Sequence, residues 1–149
     1  MDNHEIAQIF RDLALILEFQ GENPFKVNAY RNAHKIIDSL ERPIEDLLRE
    51  DVKLKGIGPI IKEKLKEILT TGELKKHKEL VGSVPGSIIS LLRELDLLPR
   101  ILRKLHDELG VNDWESLRSA YFSGKLREIG IGASTIKKIE SALKARGLI

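Results

Sequence analysis

The stretch KLKGIGPIIKEKLKEIL, residues 53–69, sets a Gly-Ile-Gly turn ahead of a lysine-rich helix. Three roles are open to its Lys64: amine nucleophile, phosphate contact, or solvated lysine on a helix edge. A nucleophilic amine must be neutral, and at a pKa of about 10.4 only about one lysine in a few thousand is neutral at pH 7. Apolar surroundings and nearby cations both disfavour the charged form. Nucleophilic use of Lys64 therefore calls for such neighbours, and the sequence supplies both kinds. Helical spacing stacks Ile60, Lys64 and Ile68 on one line beside an Ile61–Leu65 stripe, and Lys62 and Lys66 flank it. Glu63 is placed either to assist proton transfer or simply to be solvated. Tyr30, one helical turn after Lys26, could stack on a sugar or base or pack half-buried in the core.

The turn itself is a second source of chemistry. Glycine lets the backbone adopt conformations barred to other residues and approach a ligand closely. Such a turn also leaves unpaired amides at the start of the next helix, where the dipole is positive and a phosphate can sit. The same frame recurs. GIGPIIKEKLKEIL from Gly56 and GIGASTIKKIESAL from Gly130 share Gly-x-Gly, a lysine eight residues after the first glycine, and a closing leucine. DLLPRILRKLHDEL from Asp96 keeps the frame but has Asp96 and Leu98 in place of the glycines, with Lys104 at the lysine position. Charge follows the turns. Residues 1–52 carry net −5, 53–79 net +4, 80–124 net −1 and 125–149 net +4, although the chain as a whole is only +2. Basic segments that coincide with the glycine turns point to a polyanion partner.

The elements that hold these turns read as helices. Ile6, Ile9, Phe10, Leu13, Ile16 and Leu17 repeat with a helical period. Gly21 ends that helix, and Pro24 opens the next, whose expected buried residues are Phe25, Ala29, Ala33, Ile36, Ile37 and Leu40. A short helix follows Pro43, another runs from Pro59 to Leu69, and four more are expected beyond GSVPGS at 82–87. Asn112 or Asp113 can cap the third of those, and Trp114 is expected to anchor a small core. The fold expected is an all-α helical bundle in two sub-domains, residues 1–82 and 87–149. With no cysteine and four scattered histidines, thiol chemistry, disulfides and a histidine-rich metal site are not expected. No apolar run reaches the roughly 18–20 residues of a membrane span, and no signal sequence opens the chain, so an intracellular protein is expected, cytoplasmic if prokaryotic and nuclear if eukaryotic.

In order, GENPFKVNAYRNAHKII, GIGPIIKEKLKEILTTGELKK, DELGVNDWESL and GKLREIGIGASTIKKI closely resemble the amino-terminal part of family X DNA polymerases, the group of DNA polymerase beta. The resemblance covers almost the whole chain. It implies a lyase-like domain with one helix-hairpin-helix, then a fingers-like region with a degenerate and an intact hairpin. It further implies that hairpin amides hold DNA backbone phosphates, sequence-independently. The residues so implicated are Lys26, Arg31, Lys55, Gly56, Ile57, Gly58, Lys62 and Lys76 around the first hairpin, and Gly130, Ile131, Gly132, Ser134, Lys137 and Lys138 around the second. A Na+ or K+ ion at the carbonyls of Lys55, Ile57, Ile129 and Ile131 is also implied; no other cofactor is.

In the eukaryotic members a lysine of the first hairpin's second helix forms a Schiff base with the sugar left at an incised abasic site. Lys64 matches that lysine, and Tyr30, Lys26 and Lys76 match positions lining that site. The sequence departs from the pattern where Ile60 replaces an accessory lysine, where Lys62 replaces a small residue, and where Lys55 and Ile129 replace the proline before each glycine turn. No palm domain and no paired metal-binding aspartates are present, so this chain is not expected to polymerise DNA. The resulting expectation is binding to gapped, nicked or single-strand-containing DNA in repair, with a separate palm, polymerase or repair protein as partner. Open beside it are deoxyribose-phosphate lyase activity through Lys64, an excised portion of a family X polymerase, and a protein-interaction module.

Overall fold

The computed structural model describes residues 1–149, which form ten helices and no strand. They divide into two compact units, Met1–Glu18 with Glu22–Gly82, and Phe19–Gly21 with Ser83–Ile149. None of the helices is long and apolar enough to cross a membrane.

The first unit contains α1 (Asn3–Phe19) up to Glu18, α2 (Pro24–Asp38), α3 (Ile44–Arg49), α4 (Pro59–Thr71) and α5 (Lys75–Val81). Ile6, Phe10, Leu13, Ile16 and Leu17 make α1 its central element, each at most 2% exposed. Around them close Val27, Tyr30, Ala33 and Ile37 of α2, Ile44 and Leu47 of α3, Ile61, Leu65 and Ile68 of α4, and Leu80 of α5. The side chain of Asn3 ties α1 to the start of α3, donating to the Arg42 carbonyl (2.8 Å) and accepting from the Ile44 N–H (2.9 Å). Asp12, the one buried charged residue, meets the His77 ring at 2.8 Å and so ties α1 to α5. A buried carboxylate needs such a partner.

Two expectations from the sequence are corrected here. Phe25 and Ala29 are exposed, and the face that α2 buries runs through Val27 and Tyr30 instead. No helix was expected over 75–81 or 125–128, yet α5 and α9 form there. Both are short: Leu74 and Leu80 pin α5 to the core, and Leu126 pins α9.

The second unit holds α6 (Gly86–Glu94), α7 (Pro99–Leu109), α8 (Trp114–Ser123), α9 (Lys125–Glu128) and α10 (Ala133–Ala145). Its core includes Ile88, Leu91, Leu105, Val111, Leu117, Ile139 and Leu143, all 1% exposed or less. Asp113 caps α8, accepting from the Ser116 N–H at 2.7 Å, while the Ser116 hydroxyl accepts from the Asp113 N–H. This reciprocal box satisfies amides that a helix start otherwise leaves open. Trp114 is half-buried. Its indole N–H lies 3.2 Å from the Ser90 hydroxyl, and the Arg146 guanidinium covers its face at 4.0 Å.

Candidate nucleic-acid interface

The two Gly-Ile-Gly segments share their glycine backbone angles and are closed by different hydrogen bonds. Gly56 and Gly130 both take φ +89°, a conformation that disfavours any residue with a Cβ. The isoleucine between the glycines points inward in each case, Ile57 at 9% and Ile131 at 8% exposure. Its N–H is used locally, by the Leu54 carbonyl (3.1 Å) in the first turn and the Leu126 carbonyl (3.0 Å) in the second. Gly58 and Gly132 are then extended and serve as N-caps of α4 and α10, with no side chain capping either helix. Their carbonyls receive the first helical bonds, from Lys62 and Ile136, both at 3.0 Å. The N–H groups of Gly58, Ile60 and Ile61, and of Gly132, Ala133 and Ser134, are left open at the positive helix ends. An anion fits such an end.

The carbonyls of Lys55, Ile57, Ile129 and Ile131 accept no backbone hydrogen bond. Hard, oxygen-seeking cations use carbonyl groups of this kind, so the donor set suits the monovalent ion implied by the resemblance.

The turn at Asp96–Leu98 differs. Leu98 caps α7 at φ −65°, and no residue in this turn has positive φ. Without glycine the chain takes an ordinary extended entry to the helix, and Leu98 is 43% exposed where the other turns present bare backbone.

Charge separates the two glycine turns. Lys26, Lys55, Lys62, Lys64 and Lys76 form no ion pair, and neither do Lys53 and Lys66. Around the second turn Lys137 is exposed and unpaired, but Lys138 lies 3.5 Å from Asp96 and Lys144 2.9 Å from Glu140. Arg31 is also committed. Its guanidinium bonds Glu18 at 2.5 Å and Asn28 at 3.0 Å, holding α2 to α1.

Between the start of α2 and the first turn lies a cleft of about 630 Å³. Gly56, Gly58 and Pro59 form one wall, Lys26 and Phe25 the other, and Tyr30 lies at its base. Tyr30 is 4% exposed, stacks on Phe10 at 6.2 Å between ring centres, and lies beneath the Lys64 ammonium at 5.9 Å. Burial pushes its hydroxyl pKa up, against a smaller opposing effect of Lys26. Phe25 (84% exposed) and Ile60 (69%) present apolar surface to the cleft. Lys64 is half-buried, and Glu63 stands exposed with it on a neighbouring depression shared with Ile60 and Lys66.

Residues 1–74 match the family model described as a helix-hairpin-helix domain. This half of the chain is a helix-hairpin-helix domain. Over 148 residues the chain is 31% identical to the DNA polymerase/3'-5' exonuclease PolX of Bacillus subtilis (strain 168), which takes in 99% of this chain and 26% of that protein. The resemblance to family X polymerases read from the motifs thus extends along the whole chain, which spans about a quarter of the length of the curated relative it matches. Together the domain and the relative support DNA binding in a setting like that of the family X polymerases.

The helix-hairpin-helix match includes the first turn and the cleft; the second turn lies beyond it but within the stretch shared with the relative. Of the residues singled out from sequence, Lys26, Tyr30, Gly56 and Gly58 line one cleft, and Lys64 sits over Tyr30. Arg31 and Lys76 do not line it, and Ile57 and Ile131 are core plugs whose part in the site is to shape the turn. Sequence reasoning missed Phe25 as a site residue. Two helical phases of α2 are apolar and share Ala33 and Ile37, one through Phe25 and Ala29 and one through Val27 and Tyr30.

Proposed function

We propose that this protein binds DNA without regard to sequence, by seating backbone phosphates on the open amides of its two glycine turns. The observation that carries this reading is the pairing of two turns of matching glycine angles with uncapped helix starts, the first of them beside lysines that no carboxylate neutralises. Phosphate contacts fix position on DNA and carry no base information. The cleft adds a preference for DNA with an unpaired segment. Exposed Phe25 and Ile60 offer a face on which an unpaired base can stack, and Lys26 and Lys64 offer charge to its phosphates. Gapped and nicked DNA, the kind handled in repair, present such segments, and a palm, polymerase or other repair protein acting on the same gap is the natural partner. A Na+ or K+ ion held by the turn carbonyls would add one fixed positive charge beside a seated phosphate.

The test is a comparison of gapped, nicked and closed duplexes of one sequence by fluorescence anisotropy at low salt. Tightest binding to the gapped form is expected. No binding to any of the three would remove the reading and favour a protein-interaction module.

A second reading is favoured by the position of Lys64 over the Tyr30 ring at the edge of the cleft. Its amine could attack the C1′ aldehyde of a 5′-deoxyribose phosphate and expel water to give an imine. Loss of a C2′ proton to a base would then break the C3′–O bond and release the 5′-phosphate of the DNA strand. Borohydride reduction traps that imine as a covalent adduct. An adduct absent in Lys64→Ala would establish the lyase; no adduct from wild type, with DNA binding intact, would leave Lys64 a phosphate contact.

A further inference from the structure

We infer that Lys104 of α7 is a phosphate contact of the second glycine turn, a cation lent to that turn by the neighbouring degenerate repeat. The inference rests on the DNA-binding reading above. In the first hairpin the lysine eight residues after the leading glycine, Lys64, has no acidic partner. Its counterpart in the second hairpin, Lys138, is turned to the Asp96 carboxylate at 3.5 Å. Asp96 stands where the degenerate repeat has lost its first glycine, and it puts a 90% exposed carboxylate beside the lysine of the next hairpin, in a loose surface pair.

Lys104 occupies the lysine position of that degenerate repeat, whose own turn has no left-handed residue. Its side chain lies against the Gly130 turn instead. The Nζ atom is 3.7 Å from the point a Cβ on Gly130 would occupy, on the side of the turn that glycine leaves open. The open N–H groups of Gly132, Ala133 and Ser134 follow directly in the chain. Lys104 pairs with Glu108, one helical turn on at 3.9 Å, with both side chains nearly half exposed. A pair that long and that wet holds the ammonium weakly, so an arriving phosphate competes for it easily. Repeats two and three thereby make one composite site, with backbone from the intact turn and charge from the degenerate one.

The test is the salt dependence of binding to a gapped duplex for wild type, Lys104→Gln and Lys104→Arg. One lost phosphate contact makes the log–log slope shallower by about 0.9, so a fourfold rise in salt should weaken Lys104→Gln about 3.5-fold less than wild type. Lys104→Arg should keep the wild-type slope. A steep wild-type slope unchanged in Lys104→Gln would overturn the assignment and leave the DNA-binding reading standing. A flat slope in wild type would overturn both.

Discussion

The Ile36 side chain reaches to 2.6 Å from the point that a Cβ on Gly56 would occupy. Glycine is thus favoured twice at the first turn, by its φ of +89° and by the Ile36 methyl that a Cβ would have to displace. Gly130 has the same φ but meets only the flexible end of Lys104, at 3.7 Å. Left-handed backbone costs a residue with a Cβ about 1–2 kcal/mol at either glycine, and at Gly56 the free end of the half-buried Ile36 side chain must also move aside. Gly56→Ala should therefore destabilise the protein somewhat more than Gly130→Ala. Urea titrations of the two variants check the order, and equal losses would count against the Ile36 contact.

Phe25 should matter for DNA and not for folding. At 84% exposure its loss removes almost no buried surface, so Phe25→Ala should change stability by less than about 0.5 kcal/mol. Stacking on an aromatic side chain contributes about 1–3 kcal/mol per base, so binding to gapped DNA should weaken about 5- to 150-fold. Ile37→Ala, at 0% exposure, should do the reverse and cost about 2–5 kcal/mol of stability. Thermal unfolding beside anisotropy distinguishes the two effects.

Much of this architecture is legible in the residues. The helices follow from apolar period and from caps such as Asn23, whose side chain accepts from the Phe25 N–H, and Asp113. The glycine turns follow from spacing, because only glycine tolerates φ near +89° there. The cleft does not follow. Whether Phe25 or Val27 faces the core is settled by how α2 meets α1 and α4, and both helical phases were apolar. Nor could the Lys138–Asp96 pair or the approach of Lys104 to Gly130 be read from spacing, since each joins segments distant in the chain. Short helices such as α5 carry too few residues for a period to show, and tertiary anchors decide them.

The Asp113 cap gives an acid-side signature. Hydrogen bonds from the Ser116 side chain and backbone hold its carboxyl below the ordinary 3.8. The unfolded chain then binds the proton more readily, so the cap's contribution is present above about pH 4 and is lost as pH falls through the lower folded value. Asp113→Ala should cost about 0.5–2 kcal/mol at pH 6. The gap between wild type and variant should close in strongly acidic solution, as followed by urea denaturation at a series of pH values.

His34 works with the opposite sign. Burial lowers its pKa from the ordinary 6.5, and Arg11, His4 and Lys35 add to this against the opposing carboxylate of Asp38. The folded protein therefore binds this proton less readily than the unfolded chain, and stability should fall as pH drops below about 6.5, until the folded value is passed. His34→Gln, which cannot take up the proton, should have a flatter stability profile across that window. An identical profile in variant and wild type would show that His34 contributes none of the dependence.

The most direct test of phosphate seating is the affinity for two gapped duplexes of unrelated sequence, measured across a range of salt. Both should bind alike, with log affinity falling against log salt at a slope of about −2 or steeper, as one phosphate neutralised by a lysine beside each turn requires. A flat response, or a marked preference for one sequence, would contradict it.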